Sequence, residues 1–210
     1  MQRPASAPSR PGGRRTALVP AERLHGWVER FTASHGAVEE DLDDGGLLLR
    51  AADGAEALLR APWPADGRPG RGATELDRLA SLASQERGLG VLLIRKGGFA
   101  LAAASGPTIL ATKSGSRFID AKSTAEHAAR IFANHRIEYL VTGGDRALVE
   151  QVLAQPPLKT VSGRTRLAFL DVQEPKSAAL PKAAADACSL RISVTDAPVQ
   201  QPPGARFSGA

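Results

Sequence analysis

The segment from Lys113 to Lys122 contains the residue types best suited to contacting an acidic ligand. It reads KSGSRFIDAK. Its basic side chains can meet phosphates, its small residues allow a close backbone approach, and Phe118 can stack on a base. The alternative is a solvated loop with Phe118 and Ile119 packed into the core. The segment by itself favours neither interpretation.

Positive charge concentrates in this part of the chain. Residues 95–122 hold five basic residues against the single acid Asp120, in a protein of net charge +5 and pI about 9.9. A localised basic patch indicates nucleic-acid contact better than net charge does. The candidate RNA-binding residues are Arg95, Lys96, Lys113, Ser116, Arg117 and Lys122.

Motifs for metal or nucleophilic catalysis are missing. Glu126 precedes His127, but no second histidine completes H-E-x-x-H, and G-x-S-x-G is absent. The single cysteine, Cys188, excludes an internal disulfide and a thiolate zinc site. We therefore expect no metal, no cofactor and no catalytic residue of these kinds.

The pair Gly143-Gly144 stands between a predicted strand and a predicted helix. Two glycines at a helix N-terminus can cradle a phosphate. The alternative is a structural turn in which Asp145 caps the helix and its carboxylate takes the place of an anion. The missing G-K-[ST] favours the turn.

Hydrophobic patterning predicts the elements that position these residues. Three apolar strands at Gly90–Arg95, Phe99–Ala104 and Thr108–Lys113 form a meander, and helices and strands then alternate up to a last strand at Leu190–Thr195. This order predicts an α/β fold with a ribonuclease-H-like mixed sheet. The meander strands contain no Asp or Glu, which excludes a two-metal nuclease site.

The rest of the chain divides by composition. A helix from Pro20 and three short strands before Pro62 predict a small α+β extension. No apolar run is long enough to span a membrane, and no signal peptide is recognisable, so we expect a soluble, cytoplasmic protein. The predicted divisions are a disordered basic tail (1–15), the N-terminal extension (16–61), a loop (62–73), the ribonuclease-H-like domain (74–196) and a disordered tail (197–210).

Three motifs carry a resemblance to a known family. They are GVLLIRKGGFALAAASGPTILATKSGSRFI from Gly90, LVTGGDRALVEQVLAQPPL from Leu140 and LDVQEPK from Leu170. In this order they resemble actinobacterial release-factor-like peptidyl-tRNA hydrolases, which are related to the middle domain of archaeal and eukaryotic class-one release factors. The resemblance implies a ribonuclease-H-like core and a role in ribosome rescue, with the large ribosomal subunit or tRNA as partner.

The chain departs from this family where catalysis would occur. In the family, the S-G-S-R-F segment leads into a long loop whose glycines approach the ester and whose glutamine positions the attacking water. Here Lys122 is followed directly by Ser123-Thr124, which matches the later part of the family's helix. No Gly-Gly-Gln-like triplet appears, so no catalytic residue can be carried over from the family.

These observations predict a release-factor-like protein that binds ribosome or tRNA without hydrolytic activity. A degenerate paralogue would have these properties. The competing explanation for the missing loop is a decayed or regulatory member that no longer needs RNA, and a gene-model error would leave the same gap. The alternatives are an active peptidyl-tRNA hydrolase using another polar group near Ser114–Arg117, and a protein-interaction module without an RNA role. The sequence leaves enzyme activity and oligomeric state open.

Overall fold

The structure is a computed structural model that describes residues 14–43, 45–116 and 120–197. None of the helices in these ranges has the length and apolar character needed to cross a bilayer. The strands are β1 Arg14–Val19, β2 Val38–Asp43, β3 Gly46–Ala51, β4 Glu56–Arg60, β5 Gly88–Arg95, β6 Gly98–Ser105, β7 Thr108–Ser116, β8 Tyr139–Gly144, β9 Thr165–Arg166 and β10 Leu190–Thr195. The helices are α1 Leu24–His35, α2 Glu75–Ala83, α3 Ala121–Phe132, α4 Arg146–Leu153, α5 Lys159–Ser162 and α6 Leu180–Cys188.

The chain forms two compact units. The N-terminal unit comprises the described residues of Met1–Val19, Arg23–Arg60 and Arg191–Ala210. The central unit comprises Pro20–Glu22 and the described residues of Ala61–Leu190. The central unit is therefore inserted, along the chain, between two parts of the N-terminal unit.

The N-terminal unit contains a five-stranded sheet in the order β1-β10-β4-β3-β2. The predicted strand Leu190–Thr195 forms as expected, but it pairs antiparallel with β4 and not with the sheet of residues 74–196. The reason is that its first residues alternate between buried and exposed positions, since Leu190 and Ile192 are buried and Arg191 is exposed. Such a strand suits a sheet with one covered face, whereas a central parallel strand is apolar throughout.

The chain termini differ from the predicted tails where they are described. Strand β1 starts at Arg14, two residues inside the basic tail expected over 1–15. Residues 1–13 and 198–210, which make up most of the two predicted tails, lie outside the described residues.

The central unit contains the predicted mixed sheet, in the order β7-β6-β5-β8-β9. Strands β5, β6 and β7 form the antiparallel meander, and β8 pairs in parallel with β5 and with β9. The predicted α/β class and ribonuclease-H-like arrangement are thus confirmed. Strand β5 is buried along both faces from Leu89 to Ile94, as expected of a strand with helices on either side.

Each face of this sheet has its own core. One face packs against α6, with Leu93, Val141 and Leu180 among its buried residues. The other packs against α3 and α4, with Leu92 and Phe132 among its buried residues. Alternate residues of one strand therefore point toward different helices, which decides the cavity that each side chain can reach.

The predicted strand Leu167–Val172 is largely irregular. Only Thr165–Arg166 pairs regularly with β8, and Leu170 makes an isolated bridge to Gly143. Leu167, Leu170 and Val172 all pack into the α6-side core. A spacing of three and then two residues does not match the two-residue period of a strand, so the ladder is interrupted.

The segment 62–73, predicted as a loop, has no helix or strand but is anchored by a charge network around a buried arginine. Asp66 accepts hydrogen bonds from the Tyr139 hydroxyl at 2.7 Å and from the Arg68 guanidinium, and lies 3.4 Å from Arg87. Arg87 is 3% exposed and its guanidinium lies 5.9 Å from the ring centre of Trp63. We call Trp63, Asp66, Arg68, Arg87 and Tyr139 the Asp66 cluster.

Candidate functional site

A cavity of about 970 Å³ lies in the central unit at the carboxyl ends of the parallel strands β5 and β8. This is the end of an α/β sheet at which ligands usually bind. We call it the sheet-end cavity. Its lining includes Arg95, Lys96, Gly97, Gly98, Ser114, Gly115, Ser116, Asp145, Gln173, Glu174, Lys176 and Ser177.

The tight turn between β5 and β6 supplies the first basic residues. Arg95 ends β5 and pairs with Gly98 at the start of β6, so Lys96 and Gly97 form a two-residue connection. A Cβ on Gly98 would stand 2.9 Å from the carbonyl oxygen of Gly115, so only glycine lets β7 approach here. Gly97 faces open space and leaves its backbone accessible.

Arg95 is held in the cavity by a neutral partner. Its Nη1 donates hydrogen bonds to the backbone oxygen of Gln173 at 3.1 Å and to the Oε1 of Gln173 at 3.2 Å. The Nε2 of Gln173 in turn donates to Asp171 at 3.1 Å. The guanidinium is therefore oriented by an amide and keeps its positive charge available to a ligand.

The end of β7 brings hydroxyl groups to the same cavity. The Oγ atoms of Ser114 and Ser177 lie 2.6 Å apart, which ties β7 to the turn before α6. Ser116, two residues further on, shares the face of Ser114 because side chains alternate along a strand. These hydroxyls can donate to phosphate oxygens.

Two of the predicted binding residues do not line this cavity. Lys113 lies on the α3 side of the sheet, opposite Leu101 in the register. There burial, together with the charges of Arg130 and Lys113, lowers the pKa of His127. Lys122 is exposed in the first turn of α3 and is likewise absent from the cavity lining. Arg117 lies outside the described residues. The structure thus brings together Arg95, Lys96 and Ser116.

Two acidic residues also line the cavity, and each has a partner. Asp145 caps α4 by accepting the Leu148 backbone N–H at 3.1 Å. Glu174 pairs with Lys176 at 2.5 Å, and this hydrogen bond lowers the pKa of Glu174. Three residues of the cavity lining were not predicted as binding residues: Gln173, Lys176 and Ser177. Their position just after a predicted strand, at the carboxyl end of the sheet, is the signal that could have identified them.

The geometry favours the structural interpretation of Gly143-Gly144. Asp145 occupies the start of α4 as its N-cap. Gly144 has φ of 96°, and a Cβ there would stand 2.2 Å from the carbonyl oxygen of Ile94. The pair therefore allows β8 to turn tightly against β5, and the capping carboxylate already occupies the place of an anion.

The connection between β7 and α3 is short. Strand β7 ends at Ser116, and Asp120 caps α3 by accepting the Ser123 backbone N–H at 2.7 Å. Only residues 117–120 separate the strand from the helix, and none of them is glycine or glutamine. The helix begins at Ala121, even earlier than the predicted Ser123.

Comparison with known proteins bears on the resemblance to release factors. Residues 120–193 match the family model of the actinobacterial and chloroflexi VLRF1 release factors. The predicted resemblance is thereby confirmed, and this part of the chain is release-factor-like. The match begins at Asp120, the residue that caps α3, and runs into β10.

Two solved structures match the chain at low sequence identity. One is titled the Vms1 mitochondrial localization core, with 12% identity, coverage of 80% of this chain and 81% of that one, and a TM-score of 0.46. Another is Pelota from Archaeoglobus fulgidus, with 13% identity, coverage of 89% and 68%, and a TM-score of 0.32. No curated protein matches the chain.

Proposed function

We propose that this chain is a ribosome-rescue-type protein that binds ribosomal or transfer RNA through the sheet-end cavity and does not hydrolyse peptidyl-tRNA. The observation that carries the proposal is the grouping of Arg95, Lys96 and Ser116 at one end of the central sheet. The match to a release-factor family model supports the class of partner.

The charges in the cavity support RNA as the ligand. Lys96 is exposed, and Arg95 has the neutral Gln173 as its hydrogen-bond partner. The acids Asp145 and Glu174 are engaged by a helix N-terminus and by Lys176. The hydroxyl of Ser116 and the open backbone at Gly97 add the donors that position a sugar-phosphate chain.

The β7–α3 connection supports the absence of hydrolysis. Orienting a water molecule against an ester requires a polar group held close to the reacting carbon. Residues 117–120 provide Arg, Phe, Ile and Asp, and the carboxylate of Asp120 is committed to capping α3. This leaves the connection without the glycines and glutamine that the related hydrolases use.

Ribosome pelleting with the full chain tests the binding. If Arg95 and Lys96 each neutralise one phosphate, affinity should fall about sevenfold for a fourfold rise in salt concentration, as counterion release predicts for single strands. The double variant Arg95→Gln/Lys96→Gln should lose binding at low salt. Lys159→Gln/Arg164→Gln, which removes the same charge from exposed positions outside the cavity, should retain it.

A release assay on stalled ribosome–nascent-chain complexes tests the lack of hydrolysis. The expected result is no chain release above the protein-free control. Release at the rate of an intact hydrolase of the family would overturn this part of the proposal, and its loss in Ser116→Ala would favour the active-hydrolase alternative. Absence of pelleting even at low salt would favour a protein-interaction module.

A further inference from the structure

The N-terminal unit contains a cavity of about 380 Å³ that, unlike the sheet-end cavity, is lined by aromatic rings. Its volume falls within the range of about 300–1,000 Å³ typical of small-molecule pockets. We call it the Trp27 cavity. Its lining consists of Arg15, Thr16 and Ala17 from β1, Trp27, Arg30, Phe31, Ser34 and His35 from α1, and Val194 from β10.

One wall of this cavity is an aromatic ladder along α1. Trp27, Phe31 and His35 follow at intervals of four residues and therefore share one face of the helix. The rings of Trp27 and Phe31 stack with centroids 5.4 Å apart and planes 11° from parallel. The rings of Phe31 and His35 lie 4.7 Å apart, and His35 is anchored to Asp53 at 2.9 Å.

The ladder is buried at Phe31 and accessible at Trp27. Phe31 is 6% exposed, whereas Trp27 is only half-buried. An aromatic stripe at this spacing normally closes a core. Here it lines an open cavity together with charged side chains, so part of the indole remains available to a ligand ring.

Arg30 provides the charge at the cavity. In the part of the chain that the structure describes, Arg30 has no ion-pair partner, whereas Arg15 is paired with Asp196. The Arg30 guanidinium lies over Gly26, with its Nη1 3.4 Å from where a Cβ would stand. The absence of a side chain at Gly26 leaves room for this guanidinium one turn along the helix. Arg30 and Trp27 both line the cavity.

We propose that the Trp27 cavity binds a nucleotide, with its base stacked on Trp27 and its phosphate on Arg30. Base–aromatic stacking contributes about 1–3 kcal/mol per base and tolerates any base, because every base has a π face. An arginine in the same cavity as the stacking ring favours a base that carries a phosphate, because guanidinium–phosphate hydrogen bonds are charge-assisted. The nucleotide can be free or part of a single-stranded RNA, since both present the same base and phosphate.

Tryptophan fluorescence of the full chain tests this proposal. The chain has two tryptophans, and Trp63 is only 4% exposed, so saturable quenching on titration with AMP should come from Trp27. Calorimetry should show that Trp27→Leu abolishes AMP binding. Arg30→Gln should weaken AMP binding about tenfold while adenosine binding changes less than about twofold, since one charge-assisted contact corresponds to about 1.4 kcal/mol.

Matched controls separate this site from the sheet-end cavity. Arg23→Gln removes an exposed charge just before α1 and outside the cavity lining, and should leave AMP binding unchanged. Arg95→Gln/Lys96→Gln should leave the quenching intact even if it abolishes ribosome binding. The two proposals can therefore fail independently.

A second set of ligands distinguishes the source of the nucleotide. A six-nucleotide RNA that binds much more tightly than AMP would identify an RNA strand as the ligand, and equal affinities would identify a free nucleotide; both support the site. Absence of saturable quenching by either ligand, or AMP binding that survives Trp27→Leu, would overturn it. If inorganic phosphate alone displaces AMP as effectively as AMP itself does, the base does not contribute to binding, and the proposal is overturned.

Discussion

An arginine stands at each end of strand β5, Arg87 just before its first residue and Arg95 at its last. Arg87 is 3% exposed, faces the carboxylate of Asp66 and lies over the ring of Trp63. Arg95 is half-buried, and its hydrogen bonds go to the neutral Gln173. The same residue type therefore has a neutralised charge at one end of the strand and an uncompensated charge at the other.

The difference shows why counting basic residues does not locate a binding surface. The Arg87 charge is balanced by Asp66, and their separation would cost the folded state free energy. The Arg95 charge is oriented but not balanced, so it can act on a ligand. The charge of the nearest partner, which the sequence does not reveal, distinguishes Arg87 from Arg95.

Replacing Asp66 should have the largest effect. Asp66→Asn removes the carboxylate that faces the buried Arg87, so we expect a loss of about 2–3 kcal/mol in the free energy of unfolding, because the guanidinium then lacks its charged acceptor. Urea denaturation of the full chain measures it. Asp43→Asn, at an exposed position, should change stability by less than about 0.5 kcal/mol. A similar result for both variants would show that the Asp66 cluster does not anchor the fold.

The pH dependence of stability should identify the same carboxylate. Burial opposes the ionisation of Asp66, but hydrogen bonds from Arg68 and Tyr139 and the charge of Arg87 outweigh it and lower the pKa of Asp66 to about 2. An unfolded Asp titrates near ~3.9, so this stabilisation, about 2 kcal/mol, is complete above pH ~4 and is lost as the pH falls toward ~2. Urea titrations across this window measure it, and an equally steep loss in Asp66→Asn would assign the effect to other carboxyl groups.

Removing one hydroxyl group should have a smaller effect. Tyr139→Phe deletes the 2.7 Å hydrogen bond to Asp66 but keeps the ring next to Trp63, whose centroid is 5.6 Å away. A hydrogen bond to a charged acceptor contributes about 1.5 kcal/mol, which thermal unfolding can resolve. Ser114→Ala, which breaks an exposed hydrogen bond at the other end of the sheet, should cost clearly less. The reverse order would contradict the contrast between the two ends.

A single substitution should give Arg95 the kind of partner that Arg87 has. Gln173→Glu places a carboxylate where the amide oxygen now accepts from Arg95, so ribosome affinity at low salt should fall about fivefold, or roughly 1 kcal/mol. Gln151→Glu adds the same charge at an exposed position on α4 and serves as the control in the pelleting experiment. Equal affinities for the two variants would show that Arg95 does not contact the ligand.

The sequence predicted most of the elements of the central unit because their signals are local. Apolar runs separated by Gly-Gly and Gly-Pro turns specify the meander, and Asp145 is the N-cap that its position predicts. Strand β1 was missed because its arginines resemble those of a polar tail. The pairing of β10 with β4 was not predicted, because residues such as Arg60 and Arg191 are far apart along the chain and nothing in the sequence around either strand indicates its partner.

The candidate site was predicted only in part, for the same reason. Arg95 and Lys96 were predicted from the basic residues of the meander and Ser116 from the segment Lys113–Lys122, and all three line the cavity. Gln173 and Ser177 reach the cavity through contacts 78 and 63 residues away along the chain, and nothing near them in sequence marks this role. Lys113 was predicted as a binding residue because it is a basic residue of the same segment, although strand alternation directs it to the other face of the sheet.

The position of β10 has a consequence for how the protein is made. β10 lies between β1 and β4, so these two strands have no direct ladder and depend on a segment that is synthesised after the whole central unit. Domains generally fold as units while the chain emerges during translation. The central unit can thus complete its sheet before Arg191–Thr195 are available to the N-terminal unit. Strand β1, although it is translated before the central unit, can form its hydrogen bonds to β10 only after the central unit has been made.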